Sequence, residues 1–366
     1  MKDFHRLTLE EKVGQMFFLG FQGHSPDRES QAILDRVRPG GLILLQRNIE
    51  SFDQAYELTS RLHDRYDIPL LLGIDQEGGA VDRLKHIFGA IPSLPEISSG
   101  GTAQVRMAAK IIAAELESTG FNLDFAPVVD LWTRDSIVRQ RTFSANPGEV
   151  ARLATAFTEE LAKKKILACP KHFPGLGAAL LDPHFVLPRI ERPKRQLLQE
   201  DVLPFLGLID AVSMIMVGHG HYPAFGDDRA VPASLSPRIV DGFLRKKLGF
   251  QGVIITDDLT MGAITGLGLT PDLFMAAVEA GNDMLMFSQA TPLIERAFQS
   301  MVKRVRASAA LRARVDASVQ RILEVKRRIS PLPLRYRTHM RARVSRQIDK
   351  LRKSVEVEAR AATAQA

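Results

Sequence analysis

Apolar residues come along this chain in short, nearly unbroken runs, each closed off by polar or glycine-rich sequence. Eight runs stand out: Gln15–Phe21, Gly41–Leu45, Pro69–Ile74, Leu123–Val129, Ile166–Cys169, Ser213–Val217, Gly252–Thr256 and Asp283–Phe287. They do not alternate polar with apolar, so they predict strands covered on both faces, as in a parallel sheet. The sequence between them is helical in character. Thr8-Leu-Glu-Glu11 and Ser51-Phe-Asp-Gln54 are capping-box patterns, in which the third side chain returns to the amide of the cap. Val105–Ser118 is apolar at helical spacing and meets a stop at Gly120. Further helices are expected at Glu149–Lys164, Lys194–Ile209, Pro237–Leu248, Asp272–Ala280, Pro292–Arg306 and Leu311–Arg328. Eight strands alternating with helices predict an α/β fold closed as a (β/α)8 TIM-type barrel.

The pattern ends at Ser330-Pro-Leu-Pro-Leu334, and Arg335–Arg360 reads as a basic helical extension. The expected division is therefore a barrel domain over 1–329 and a basic extension over 330–366. Charge supports it: of a net +7, the stretch from Lys326 onward holds twelve Lys/Arg against three Asp/Glu. The body is close to neutral, so its charge does not suggest a nucleic-acid partner. The tail reads as a solvated helix face, with an anionic surface as its candidate partner. The first twenty residues show no apolar stretch ahead of their charges, and no run approaches the roughly 18 residues that span a bilayer. With a single cysteine, Cys169, no intrachain disulfide forms. Together these predict a cytoplasmic protein, and no transmembrane segment. Oligomeric state leaves no signal in the sequence.

Chemistry concentrates just after the strands. Asp75-Gln-Glu77-Gly-Gly79 follows the third, and Asp130 the fourth with Arg141 beyond it. Lys171-His172 follows the fifth, His219 the sixth and Asp257-Asp258 the seventh. Barrels of this type carry their active sites at those strand ends. A carboxylate fixed at the end of a buried strand suits a nucleophile towards an anomeric carbon, which points to Asp257. Asp258, on the opposite face of an extended segment, reads as a capping or supporting group. Within the glycine- and proline-rich loop after Lys171, Asp182 and His184 are two residues apart. Pro183 favours an extended Asp182, so the two side chains point the same way. A carboxylate bonded to an imidazole fixes its tautomer and suits an acid/base working near neutral pH.

Taken in order, Ile74-Asp-Gln-Glu-Gly-Gly79, Phe125-Ala-Pro-Val-Val-Asp130, Arg141-Thr-Phe-Ser144, Lys171-His-Phe-Pro-Gly175, Asp182-x-His184 and Thr256-Asp-Asp-Leu-x-Met261 closely resemble the β-N-acetylglucosaminidases of glycoside hydrolase family 3, the bacterial enzymes of peptidoglycan recycling. The resemblance covers roughly Leu9–Ser288. It implies a retaining exo-β-N-acetylglucosaminidase acting on a small carbohydrate or muropeptide, GlcNAc linked β-1,4 to anhydro-N-acetylmuramic acid. Asp257 would be the covalent nucleophile and His184, paired with Asp182, the acid/base. Asp75, Arg83, Arg141, Lys171 and His172 would hold the terminal sugar, and no metal or cofactor is implied. Three positions depart from the family pattern. Leu176 stands where histidine is common, Ala80 where arginine is common, and Pro183 where serine is frequent; Pro183 is expected to stiffen the catalytic loop.

Two other readings remain open at this point. His219-Gly-His221 matches an H-x-H metal motif superficially, as in a metal-dependent amidohydrolase barrel, although that class carries it on the first strand. Otherwise His219 is a sugar-contacting or supporting residue. The second alternative is a catalytically weakened sugar-binding barrel, against which the presence of Asp257, Asp182 and His184 argues.

Overall fold

The computed structural model describes residues 4–227, 229–329 and 338–365. Its strands are β1 (Phe17–Leu19), β2 (Gly41–Ile43), β3 (Leu71–Ile74), β4 (Gln76–Gly78), β5 (Val81–Asp82), β6 (Leu123–Asp124), β7 (Leu167–Ala168), β8 (Met214–Val217), β9 (Val253–Asp258) and β10 (Met284–Phe287). Eight of them form one parallel sheet in the order β7-β6-β3-β2-β1-β10-β9-β8. The ring closes through the segment after β7. Phe173 N donates to Met216 O at 2.9 Å, Met216 N to Pro170 O at 3.0 Å and Gly218 N to Phe173 O at 3.0 Å. The result is the expected (β/α)8 barrel.

Side chains, not a channel, fill the interior. The Phe18 and Phe125 rings meet edge to face with centroids 5.3 Å apart. They fit because their neighbours are glycines. A Cβ on Gly41 would lie 2.2 Å from the Phe18 ring, and one on Gly73 2.6 Å from Phe125.

Most strands are shorter than the hydrophobic pattern predicts, Gln15–Phe21 contracting to β1 among them, and at two of them prolines give the reason. Leu123–Val129 contracts to β6 and Ile166–Cys169 to β7. Pro127 and Pro170 lack the N–H that a continuing ladder needs, and pairing resumes only at an isolated Val128–Lys171 bridge. The helix expected over Lys194–Ile209 is likewise broken into Lys194–Gln196, a π-helical turn Leu197–Asp201 and Leu203–Leu206, the last with Pro204 in its first turn, where its missing N–H costs least. The antiparallel β4–β5 hairpin, not anticipated, turns at Gly78 (φ 87°) and Gly79 (φ 59°), a left-handed conformation that glycine adopts without cost.

The basic extension contributes a helix, Thr338–Gln365. Met340, Val344, Ile348, Leu351 and Val355 are buried at helical spacing. Their helix packs across Gly101–Thr119, with Gln104 Nε2 donating to Ser354 Oγ at 3.0 Å and Arg341 Nε to Ile87 O at 3.3 Å. Arg343, Arg346, Lys350, Arg352 and Lys353 face outward. The Ser330–Leu334 break lies outside the described residues. No helix among the described residues is long and apolar enough to cross a membrane.

One buried charge sits at the opposite end of the barrel from the strand C-termini. Lys326, in helix Ala309–Arg328, is buried, and its Nζ donates to Gln15 Oε1 at 2.6 Å. Burial pushes the amine down to about 7. The unfolded chain therefore binds a proton that the folded chain lacks between about pH 7 and the ordinary lysine value near 10.4, so this group makes stability rise with pH across that window. Lys326→Met should stabilise the fold by ~1–3 kcal/mol at pH 6, with the gain fading by pH 10. Chemical denaturation at both pH values measures it, and a gain independent of pH would contradict the buried-amine account.

Candidate active site

The C-terminal ends of the strands open into a cavity of about 230 Å³. Asp75 enters it directly after β3, and Glu77 and Arg83 come from the β4–β5 hairpin. Arg141 arrives on the long loop after β6. Lys171, His172 and the Asp182–His184 loop follow β7, and Asp257 sits near the end of β9. Residues up to 182 positions apart in sequence (Asp75 to Asp257) thus face one space.

Glu77 organises one wall. Its carboxylate is 99% buried and accepts from Arg141 Nε at 2.9 Å and Nη2 at 2.8 Å, a bidentate pair. It also lies 2.6 Å from Lys171 Nζ. Burial alone would raise its pKa, but Arg141 and Lys171 more than offset that and hold it well below the usual carboxylate range. The same carboxylate raises Arg141, against the downward pull of burial. For Lys171, burial is outweighed by Asp75 and Glu77, and the ammonium is kept charged. Lys171 Nζ donates to Asp75 Oδ1 at 2.7 Å, while Arg83 Nη2 stands off Asp75 Oδ2 at 3.7 Å. An ionised carboxylate has about four acceptor positions and an ammonium three donors. Asp75 and Lys171 therefore keep capacity to accept from and donate to neighbouring hydroxyls of a bound sugar.

Asp257 lies across the floor. Burial pushes its carboxyl up, yet His172, His219, the Asp258 amide and Lys171 together bring it below its ordinary value; that amide donates to Asp257 Oδ1 at 2.8 Å. The group is an ionised carboxylate near neutral pH. Asp258 points elsewhere, accepting from Thr260 N at 2.8 Å and Thr260 Oγ1 at 2.7 Å. His172 is oriented by Asp130, whose Oδ2 is 2.7 Å from its Nδ1 and whose Oδ1 accepts from Leu176 N at 2.6 Å. The backbone of Leu176 thus makes that contact whatever its side chain.

At the cavity mouth, Asp182 Oδ1 accepts from His184 N at 2.9 Å and lies 2.7 Å from His184 Nδ1. With Nδ1–H directed at the carboxylate, Nε2 is the ring nitrogen left for proton transfer. Asp182 is pulled below its ordinary value: burial raises it, but the His184 amide and imidazole and Arg141 outweigh burial. This pair is far more exposed than the floor, with His184 and Asp182 side chains 62% and 43% accessible. Its backbone is nonetheless fixed. His184 O accepts from Gly262 N at 2.8 Å and Pro183 O from Ala263 N at 3.0 Å.

The cavity brings together all the expected site residues except His219, which stands behind the floor instead of lining it. Its Nε2 is 2.9 Å from Asp258 O and its Nδ1 2.8 Å from Ser234 Oγ. The carbonyl can only accept, so Nε2 carries a proton, and Ser234 Oγ engages Nδ1. Burial pulls the imidazole below its ordinary value, against the attraction of Asp257. With both nitrogens engaged, His219 has none free for a sugar hydroxyl or for the H-x-H metal reading. Two contributors escaped sequence reasoning as site members. Glu77 could have been found from its place two residues after Asp75, and Asp130 from its place at a strand end. Neither position reveals its partner.

Comparison with known proteins agrees with the geometry. The sequence profile of the glycosyl hydrolase family 3 N terminal domain matches residues 8–325. A beta-hexosaminidase of Idiomarina loihiensis is 34% identical over 263 residues, covering 70% of this chain and 79% of the relative. One from Xanthomonas campestris pv. campestris is 32% identical over 304 residues, covering 81% and 91%. Among solved structures, a family 3 beta-N-acetylglucosaminidase from Paenibacillus sp. superposes with TM-score 0.84 at 30% identity, covering 94% of this chain and 69% of that one. A beta-N-acetylhexosaminidase from Beutenbergia cavernae superposes with TM-score 0.81 at 27% identity, covering 87% and 98%. The chain spans 43% of a fungal multi-domain beta-N-acetylglucosaminidase that it matches with TM-score 0.86 at 29% identity.

Removing the carboxylate that two buried cations share should destabilise the fold. Glu77→Gln is expected to cost ~3 kcal/mol, read as a fall in melting temperature. An unchanged melting temperature would show that Lys171 and Arg141 do not depend on Glu77.

Proposed function

This chain belongs to glycosyl hydrolase family 3 and is a glycoside hydrolase, and from that premise we propose that it is a retaining exo-β-N-acetylglucosaminidase with Asp257 as nucleophile. The observation that carries this reading is the contrast within one cavity. A carboxylate held ionised lies at the floor, and an imidazole backed by a carboxylate lies at the mouth. The beta-hexosaminidase and beta-N-acetylglucosaminidase relatives support the N-acetyl sugar. The proposed natural substrate is a muropeptide, GlcNAc β-1,4-linked to anhydro-N-acetylmuramic acid, turned over in the cytoplasm during cell-wall recycling.

In the first step the Asp257 carboxylate attacks the anomeric carbon. The glycosidic C–O bond breaks, and protonated His184 gives its Nε2 proton to the leaving oxygen. The covalent glycosyl–Asp257 ester remains. In the second step neutral His184 takes a proton from water, the hydroxide attacks the same carbon and Asp257 leaves as carboxylate. Asp182 holds the imidazole's tautomer and stabilises its cation throughout. Asp75, Arg83, Arg141 and Lys171 grip the sugar hydroxyls; bonds that tighten as the ring flattens lower the barrier instead of merely binding substrate. His172 stands over the floor as a charge partner of Asp257 and a contact for the sugar.

Two outcomes are expected. 4-Nitrophenyl β-N-acetylglucosaminide should be hydrolysed in clear preference to the β-glucoside, and Asp257→Ala should lower the rate by at least ~10³-fold. No turnover of either sugar by folded wild type would leave a sugar-binding barrel in place of an enzyme. The attractive groups around Asp257 keep it deprotonated below the ordinary carboxylate range, so the acid limb of kcat/KM that it sets lies there. His172→Gln removes the largest of those attractions and should move that limb towards neutral pH. A pH profile with an unmoved acid limb would contradict the assigned electrostatics.

A further inference from the structure

The loop that carries the acid/base also carries a cluster of uncovered apolar side chains. Phe185 is 78% exposed, Leu180 66%, Leu181 55% and Val186 45%. Ile137, whose N donates to Ala179 O at 3.4 Å just before that cluster, is 37% exposed and lines the cavity with Asp182 and Pro183. Half of the large exposed hydrophobic residues among the described residues thus gather at one mouth, which is where such groups signal a binding surface and not chance exposure.

Their exposure belongs to a segment whose backbone is fixed. Phe185 N and Val186 N both donate to Asp182 O, at 3.0 and 3.2 Å. The bonds from Gly262 N and Ala263 N clamp residues 183 and 184 from the other side. Gly262 is packed so closely that a Cβ there would lie 2.3 Å from Phe185 O. Phe185 is therefore held outward while its main chain is pinned.

Resting on the assignment of His184 as acid/base, we infer that this apolar rim is the aglycone subsite, and that it selects leaving groups with an apolar face. The leaving oxygen must come within hydrogen-bond reach of His184 Nε2 to receive its proton. Phe185 directly follows His184 and Leu181 directly precedes Asp182, so both belong to the segment that a departing group must pass. The cavity's inner wall holds the sugar with charges, from Asp75, Glu77, Arg141 and Lys171. Ile137 lines the outer part of the cavity, and beyond that lining the loop carries Phe185 and Leu181; none of the three has a donor or acceptor in its side chain. A rim of this kind contributes through apolar area removed from water, so it favours an alkyl, aryl or aliphatic acyl-bearing aglycone over a bare hydrophilic one.

Hexyl and methyl β-N-acetylglucosaminide test this, because their leaving alcohols differ little in acidity and the ratio of their kcat/KM values is independent of the active fraction. Wild type should prefer the hexyl glycoside by ~tenfold or more. Phe185→Ser and Leu181→Ser should each reduce that ratio several-fold, and Phe185→Trp should retain it. A wild-type ratio near one, or a ratio that survives Phe185→Ser, would overturn the inference while leaving the active-site assignment intact. A Phe185→Ser variant that changes oligomeric state on gel filtration without changing the ratio would overturn it in favour of a contact between copies of the chain. Failure of wild type to cleave either glycoside would instead overturn the assignment of the site itself, and this inference with it.

Discussion

Two cations meeting one carboxylate set the shape of one wall of the cavity, the wall proposed to hold the sugar. Arg141 and Lys171 arrive on different loops, after β6 and after β7, and would repel one another across the cavity. Glu77, projecting from the hairpin after β3, binds both. Three loops are thereby tied at one buried atom pair, and Asp75 is left with spare acceptor capacity beside Lys171. A pair buried this deeply adds little net stability over apolar packing, but breaking it is costly. Its value lies in position: it fixes charged donors before any substrate arrives, and so lowers the cost of ordering them on binding.

The layer beneath shows how such a charge density is tolerated. Gln76 Nε2 donates to Asp82 Oδ1 and Glu115 Oε2, both at 2.8 Å, and its backbone N donates to Asp124 Oδ1 at 3.0 Å. Burial pushes Asp82 up and drives Glu115 and Asp124 well above their ordinary values. Burial thus biases Glu115 and Asp124 towards their neutral forms below the floor. The ionised carboxylates remain those with cations beside them, Glu77 among them. The same physics separates the two groups proposed to react: Asp257 is held as an anion by its charged surroundings, whereas the His184 side chain keeps contact with water.

Much of this was legible because it is local or periodic. Buried parallel strands leave unbroken apolar runs, and the residue after a run is placed at the strand's C-terminal end by geometry alone. That logic locates Asp75, Lys171 and Asp257. Asp182 and His184 were legible as a pair from their two-residue spacing, but the pairing is made by a turn over residues 183–185 and not by the extended stretch expected, with His184 N and Phe185 N both donating to Asp182. Glu77–Arg141 and His172–Asp130 join residues 64 and 42 positions apart, and nothing in either segment specifies its partner. His219 stands at a strand end like the others, but Ser234 and the Asp258 carbonyl claim both its nitrogens, a long-range fact again. Strand lengths were overread where prolines end a ladder within an apolar run. The docking of helix Thr338–Gln365 was hidden because its basic composition masks an apolar stripe of five residues.

The proposed retaining mechanism requires the glycosyl group to pass through a covalent bond to Asp257. Reaction of the protein with a slow 5-fluoro-β-N-acetylglucosaminyl fluoride, followed by proteolysis and mass spectrometry, tests it directly. The peptide containing Asp257 should then carry an added glycosyl mass. A glycosyl mass on another carboxylate, or release of the α-anomer without any adduct, would contradict it.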